Sequence, residues 1–117
     1  MRFLLIINDP PYGTERLYNA LRLAHALKKA DGTADLTLFL MADAVAAARK
    51  GQKTPEGYYN AERMLGRVTA GGGTVLVCGT CMDARGVIDE DLIAGSRRST
   101  MDELAAATAS ADKVLVF

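Results

Sequence analysis

The feature that most limits what this chain can become is a set of four short apolar runs. They are Arg2–Ile7, Asp35–Leu40, Thr74–Cys78 and Lys113–Phe117, each a nearly continuous stretch of Leu, Ile, Val and Phe. A strand that is apolar on both sides must be covered on both sides, which is the habit of parallel sheets. The segments between the runs carry helical periodicity instead. In Thr14–Lys29, the residues Leu17, Ala20, Leu21, Ala24 and Leu27 form one stripe, and Tyr18, Arg22, His25 and Lys29 form a solvated stripe opposite. In Tyr58–Val68 the stripe is Ala61, Met64, Leu65 and Val68. In Thr100–Ser110 it is Met101, Leu104 and Ala105, with Thr100 and Glu103 spaced as a capping box. Thr14 is placed to cap the first helix, and Asp43 to cap a short helix over Ala44–Arg49.

Strand, helix, strand, helices, strand, helix, strand is an α/β order. Right-handed crossovers then put helices on both faces of a mainly parallel sheet of four or five strands. A fifth strand fits only around Gly95–Ser99, where the pattern gives it no firm support. The 117 residues make one domain, 1–117. Arg49–Gly57 has turn chemistry and no periodicity. It reads as a loop, or as a surface arm ordered by a neighbouring subunit.

Composition removes several function classes. Fourteen basic residues cancel fourteen acidic ones, so nothing argues for a nucleic-acid partner. No apolar run approaches the ~20 residues of a membrane span. Phe3–Ile7 is too short for a signal peptide, and Asn8-Asp9-Pro10-Pro11 follows without a cleavage site. With one His and two Cys, a single chain lacks the ligands of a zinc site, and no cofactor is implied. Two cysteines three apart, without other partners, suit a reducing compartment, the cytoplasm.

In open parallel sheets, ligands gather beyond the carboxyl ends of the strands. The first run ends at Asn8-Asp9-Pro10-Pro11-Tyr12-Gly13, the second at Met41-Ala42-Asp43, the third at Cys78-Gly79-Thr80-Cys81. If the strands are parallel, all three share one edge. Cys78 and Cys81 have the spacing of a thiol redox pair, and Thr80 with Asp83 marks a short helix starting there. Amides at a helix start lower a thiol's pKa, Arg85 one turn on adds positive charge, and Gly79 allows close backbone approach. A second reading treats both cysteines as small core residues, which suits Cys78 as the last residue of a buried strand. Asn8–Glu15 is a pocket wall in one reading and a stiff strand-to-helix turn in the other. Gly71–Gly73 reads as a linker, Arg97-Arg98 as a solvated pair or an anion contact, and His25 as a surface histidine.

These segments resemble the DsrE/DsrF-like superfamily, and in it the YchN-like branch. The resemblance rests on Asn8–Glu15, Leu38–Val45, Cys78–Val87, Gly51-Gln52-Lys53 with Gly57-Tyr58, and the ending Ala111–Phe117. It implies a three-layer α/β/α sandwich, a homotrimer or homohexamer, and sulfur handling. Sulfur-relay members carry a persulfide on the cysteine that matches Cys78, placed by the Arg85-Gly86 pair. Cys81 has no counterpart in the single-thiol relatives and is a candidate resolving thiol. The expectation is a sulfur-trafficking protein that exchanges sulfur with a donor or acceptor protein. Cys78 and Cys81 would be its reactive pair; Tyr12, Gly13, Met41, Asp43, Gly79, Thr80 and Arg85 would line the pocket. A binding protein with structural cysteines and a dithiol redox protein are the alternatives.

Overall fold

The computed structural model describes residues 1–117. Five strands form one sheet: β1 Arg2–Ile7, β2 Asp35–Leu40, β3 Thr74–Cys78, β4 Ser96–Ser99 and β5 Lys113–Val116. Every pairing is parallel, and the order is β4-β3-β2-β1-β5. The four apolar runs are β1, β2, β3 and β5. The fifth strand, left unsupported by the sequence, is real: Ser96-Arg97-Arg98-Ser99 pairs with Val75–Cys78 at the sheet edge. An edge strand needs neither two covered faces nor apolar residues, so the criterion that found the others passes over it.

The helices are α1 Arg16–Ala30, α2 Ala61–Ala70, α3 Gly79–Ala84 and α4 Met101–Ser110, with a 3₁₀ helix at Ala42–Ala48 and a 3₁₀ turn at Asp89–Asp91. Going from β1 to β4, each connection moves one strand sideways in the same direction. The last connection, through α4, returns across the whole sheet to β5. With right-handed crossovers, α1, the 3₁₀ helix, α2 and α3 lie on one face, and α4 alone on the other. Burial follows. Leu5, Ile7, Leu38, Leu40, Val75 and Val77 share the first face by register and are fully buried. On the second face Val114 and Val116 of β5 stay 38% and 66% exposed.

Local expectations need correction at several points. Thr14 does not cap α1; its hydroxyl donates to Asp9, and Glu15 occupies the cap position without a side-chain bond. Asn60 caps α2 by accepting from the Arg63 amide, so that helix starts at Ala61. Thr100 caps α4 as expected, accepting from the Glu103 amide at 3.2 Å. The Glu103 carboxylate, instead of reaching back to the cap, takes hydrogen bonds from Arg97 and Ser99 of β4. His25 is half-buried, its Nε2 2.9 Å from the Met64 carbonyl on α2. The Arg49–Gly57 stretch is tied to its own chain through Gln52. That side chain donates to the Ala47 and Arg49 carbonyls and accepts from Tyr12, while its backbone bonds Glu62 and Asn60.

Candidate functional site

β3 and β4 are neighbours, yet the chain leaves them towards opposite faces: into α3 after Cys78, into α4 after Ser99. Adjacent parallel strands whose connections diverge leave a crevice at their carboxyl ends, where α/β proteins place ligands. Here that crevice is a cleft of about 170 Å³ lined by Cys78, Gly79, Thr80, Arg98, Ser99, Thr100 and Met101. At ~30 Å³ per water it holds a small molecule or the tip of a partner's side chain, and falls short of the ~300 Å³ of a drug-sized site. Gly79 shapes it, because a Cβ there would lie 2.7 Å from Arg98 Nε. Without one, the guanidinium lies against the backbone and pairs with both oxygens of Asp83 at 2.7 and 2.8 Å.

The two thiols differ. Burial pushes the Cys78 thiol up, but donors outweigh it: the Cys81 thiol, the Thr80 hydroxyl 3.3 Å away, and the nearby amides of both residues. Its pKa falls below the ordinary thiol value. No complete capping bond to Cys78 is needed for this, and none forms. Cys81 moves the other way. Burial raises its pKa and hydrogen bonding to Cys78 raises it further, against the Ala42 amide and Arg85. Of the two, Cys78 is therefore the thiol that ionises more readily.

The end of β2 closes the far side of Cys81. Ala42 sits at φ 51, a left-handed conformation unusual for a residue with a side chain, and its amide donates to Cys81 Sγ at 3.2 Å. Asp43 pairs with Arg85 at 2.9 Å, and Arg85 donates to the Cys81 carbonyl at 3.1 Å. Asp43 thus links to the thiol segment and does not cap the 3₁₀ helix, which has Met41 at its cap position. Arg85 stands beside Cys81; the arginine at the Cys78 cleft is Arg98. Met41 packs on the core next to Ala42.

Cys78, Gly79 and Thr80 line the cleft, with Cys81, Asp43 and Arg85 behind them. Tyr12 and Gly13 lie outside this lining. Tyr12 instead packs on Tyr59, ring centroids 5.0 Å apart, and its amide donates to the Tyr59 hydroxyl at 2.6 Å. Ser99, Thr100 and Met101 are not singled out as site residues by the sequence, and Arg98 is so only as a general anion contact. The signal available was Gly79 itself, a residue without a side chain where a bulky neighbour needs the space. His, Cys, Asp and Glu nowhere gather in threes as a metal site would require, and no helix is long and apolar enough to cross a membrane.

An all-parallel α/β domain with a thiol facing a cleft where β3 and β4 diverge defines a small thiol-bearing class of protein. Within it, the chain belongs to the DsrE/DsrF-like family, whose model matches residues 1–117; the family is associated in general with sulfur relay. It is 48% identical to protein YchN of Escherichia coli (strain K12), over 99% of this chain and 98% of that one. It is 38% identical to the uncharacterized protein MJ0989 of Methanocaldococcus jannaschii over the full length of both. The crystal structure of the E. coli YchN protein superposes with a TM-score of 0.95, covering 99% of this chain and 98% of that one. A protein of unknown function from Methanobacterium thermoautotrophicum, MTH1491, has the same fold at 13% identity and TM-score 0.82, covering 99% and 98%.

Proposed function

We propose that this protein carries sulfane sulfur on Cys78. The observation that supports it is the asymmetry of the thiols: Cys78 faces a small cleft with its pKa lowered by Cys81 and Thr80, while burial and Cys78 push the Cys81 thiol up. The Cys78 thiolate attacks the outer sulfur of a persulfide donor, the donor leaves as its thiolate, and Cys78 becomes the persulfide. An acceptor thiolate then takes that outer sulfur and regenerates the Cys78 thiolate. Cys81 offers a second exit. Once deprotonated it attacks the inner sulfur, hydrosulfide leaves with the electron pair, and a Cys78–Cys81 disulfide remains, which an external dithiol must reduce. The setting is a reducing cytoplasm, with copies of the chain assembled as a trimer or hexamer and a donor or acceptor protein visiting the cleft.

The test is intact mass after the reduced protein meets glutathione persulfide. Wild type and Cys81→Ala gain the mass of one sulfur; Cys78→Ser does not. Equal gain by Cys78→Ser overturns the assignment. A dithiol redox role is the second reading, favoured by the mutual influence of the two thiols on each other's ionisation. It predicts a reversible loss of two hydrogen atoms, two protons and two electrons passed to a disulfide oxidant, and no sulfur gain. Slow alkylation of both thiols in the folded protein would support the third, a binding protein with structural cysteines.

A further inference from the structure

The two arginines of β4 are used differently. Arg97 is occupied by Glu103, through both Nη1 and Nη2. Arg98 keeps part of its hydrogen-bonding capacity. Its side chain packs on Gly79, with Nε, Cζ and Nη2 at 2.7, 2.8 and 3.0 Å from where a Cβ would stand. Asp83 takes one N–H from Nη1 and one from Nη2, at 2.7 and 2.8 Å. A guanidinium has five N–H donors in a fixed plane. Nε–H and the second N–H of Nη2 therefore lie side by side along another edge, and neither meets an acceptor in the chain. A two-donor edge of this kind matches the two oxygens of a carboxylate. It belongs to the lining of the cleft that holds Cys78.

The surroundings favour an anion there. No acidic residue lines the Cys78 cleft. Asp83 lines the neighbouring cleft, Glu103 is held by Arg97 and Ser99, and Asp102 stands exposed on α4 outside the lining. Helix α4 starts at the cleft, capped by Thr100, and its positive end adds to the field of Arg98. Gly79 follows Cys78 in the chain, with its Cα about 3.8 Å away. A ligand gripped at Arg98 thus needs only a short stem to bring its other end to the sulfur, and about 170 Å³ holds a short stem. We propose that this edge of Arg98 is a carboxylate site, and that the cleft therefore takes small carboxylate-bearing persulfides as the donors that load Cys78. The donor class rests on the sulfur-carrier reading above; the carboxylate site does not. In the loading step the Cys78 thiolate attacks the outer sulfur, which carries its proton across. The donor's S–S bond breaks, and the donor leaves as its thiolate with the electron pair, its carboxylate held on Arg98.

The first arm of the experiment uses no sulfur transfer. The reduced full-length protein is alkylated with iodoacetate and with iodoacetamide, which differ by the carboxylate, and tandem mass spectrometry reads the rate at Cys78. The ratio of the iodoacetate rate to the iodoacetamide rate should fall about tenfold or more in Arg98→Gln, the worth of one charge-assisted hydrogen bond. It should fall less in Arg98→Lys, which keeps the charge and loses the edge. An arginine that only supports the fold would move both rates together, so an equal ratio in wild type and Arg98→Gln overturns the proposal. Wild type alone gives a check that no misfolded variant can spoil. At constant ionic strength, acetate should slow iodoacetate at Cys78 and acetamide should not; equal effects overturn the proposal. The second arm compares loading, by intact mass, from the persulfides of mercaptoacetate and mercaptoacetamide. Wild type should load faster from the first, and Arg98→Gln should lose that preference. If neither donor loads Cys78 while the iodoacetate preference stands, the carboxylate site survives and the carrier reading fails. If both donors load equally and iodoacetate has no preference, the carrier reading survives and the proposal fails.

Discussion

The carboxyl ends of β1 and β3 make an instructive pair. Both strands are buried, both stop at the same sheet edge, and both run into segments that attract attention in the sequence. They end differently. After β1 the chain spends eight residues, Asn8–Glu15, before α1 begins. In that length Tyr12 turns to φ 67 and reaches across to Tyr59, Gln52 and the Ala61 amide. After β3 there is no connecting residue, and α3 begins at Gly79. A zero-length turn leaves Cys78 no freedom to move off the edge, and β4 departs the other way beside it. One end uses its length to tie elements together; the other uses its shortness to hold a thiol in a cleft.

The sharpest way to break this contrast is thiol reactivity. Cys78 should take up iodoacetamide quickly at neutral pH, and Cys78→Ser should lose this phase, a fall of about tenfold or more, since one pKa unit is tenfold in thiolate at pH below the pKa. Because the Cys78 pKa is lowered, its rate should hold at pH values where an ordinary thiol has faded. Cys81→Ala removes a donor to the sulfur and should move that profile to higher pH. A profile unmoved by Cys81→Ala would deny the coupling of the two thiols.

At the β1 end, Tyr12→Phe removes the hydroxyl that bonds Gln52 and Ala61. It should lower stability in urea by about 0.5–1.5 kcal/mol, the net range for an ordinary hydrogen bond, and leave thiol alkylation untouched. Any change in alkylation would make the two ends a single site. Beside the cleft, Arg97 first and then Ser99 pull the Glu103 carboxyl down to about 2, from an ordinary 4.5. A depressed acid stabilises the fold above its unfolded pKa and loses that contribution as pH falls from about 4.5 towards 2. Glu103→Gln should flatten acid unfolding in that window. The smallest effect is expected from Asp43→Asn, which weakens an exposed pair with Arg85 and should cost at most about 1 kcal/mol.

What could be read from the sequence divides along physical lines. β1, β2 and β3 announced themselves because burial on two faces demands apolar residues, β5 because its Val114-Leu115-Val116 run is apolar although it lies exposed at the other sheet edge, and the thiol pair because Cys spacing is local. Strand β4 was hidden by its polar edge composition. Arg98 looked solvated because its place depends on a pairing, Val77 with Arg98, set by the fold and not by neighbours in sequence. Tyr12 was drawn into the pocket by strand-end logic, which fixes where a turn starts and says nothing about where eight residues of turn will go. Thr14 and Asp43 have types that favour caps; Thr14 bonds Asp9 five residues back in the same turn instead, and Asp43 pairs with Arg85 across the chain.

The strand order carries a kinetic consequence. β1 through β4 pair with their neighbours in sequence, so each closes a modest loop. β5 must return to β1, where Arg2 and Asp112 meet across 110 residues. Entropy makes such long closures late and slow. Four strands and the α1–α2 layer can condense while one flank of β1 still lacks its partner. That bare flank is a ready edge for another strand, so the period before β5 docks is when folding chains are most exposed to aggregation.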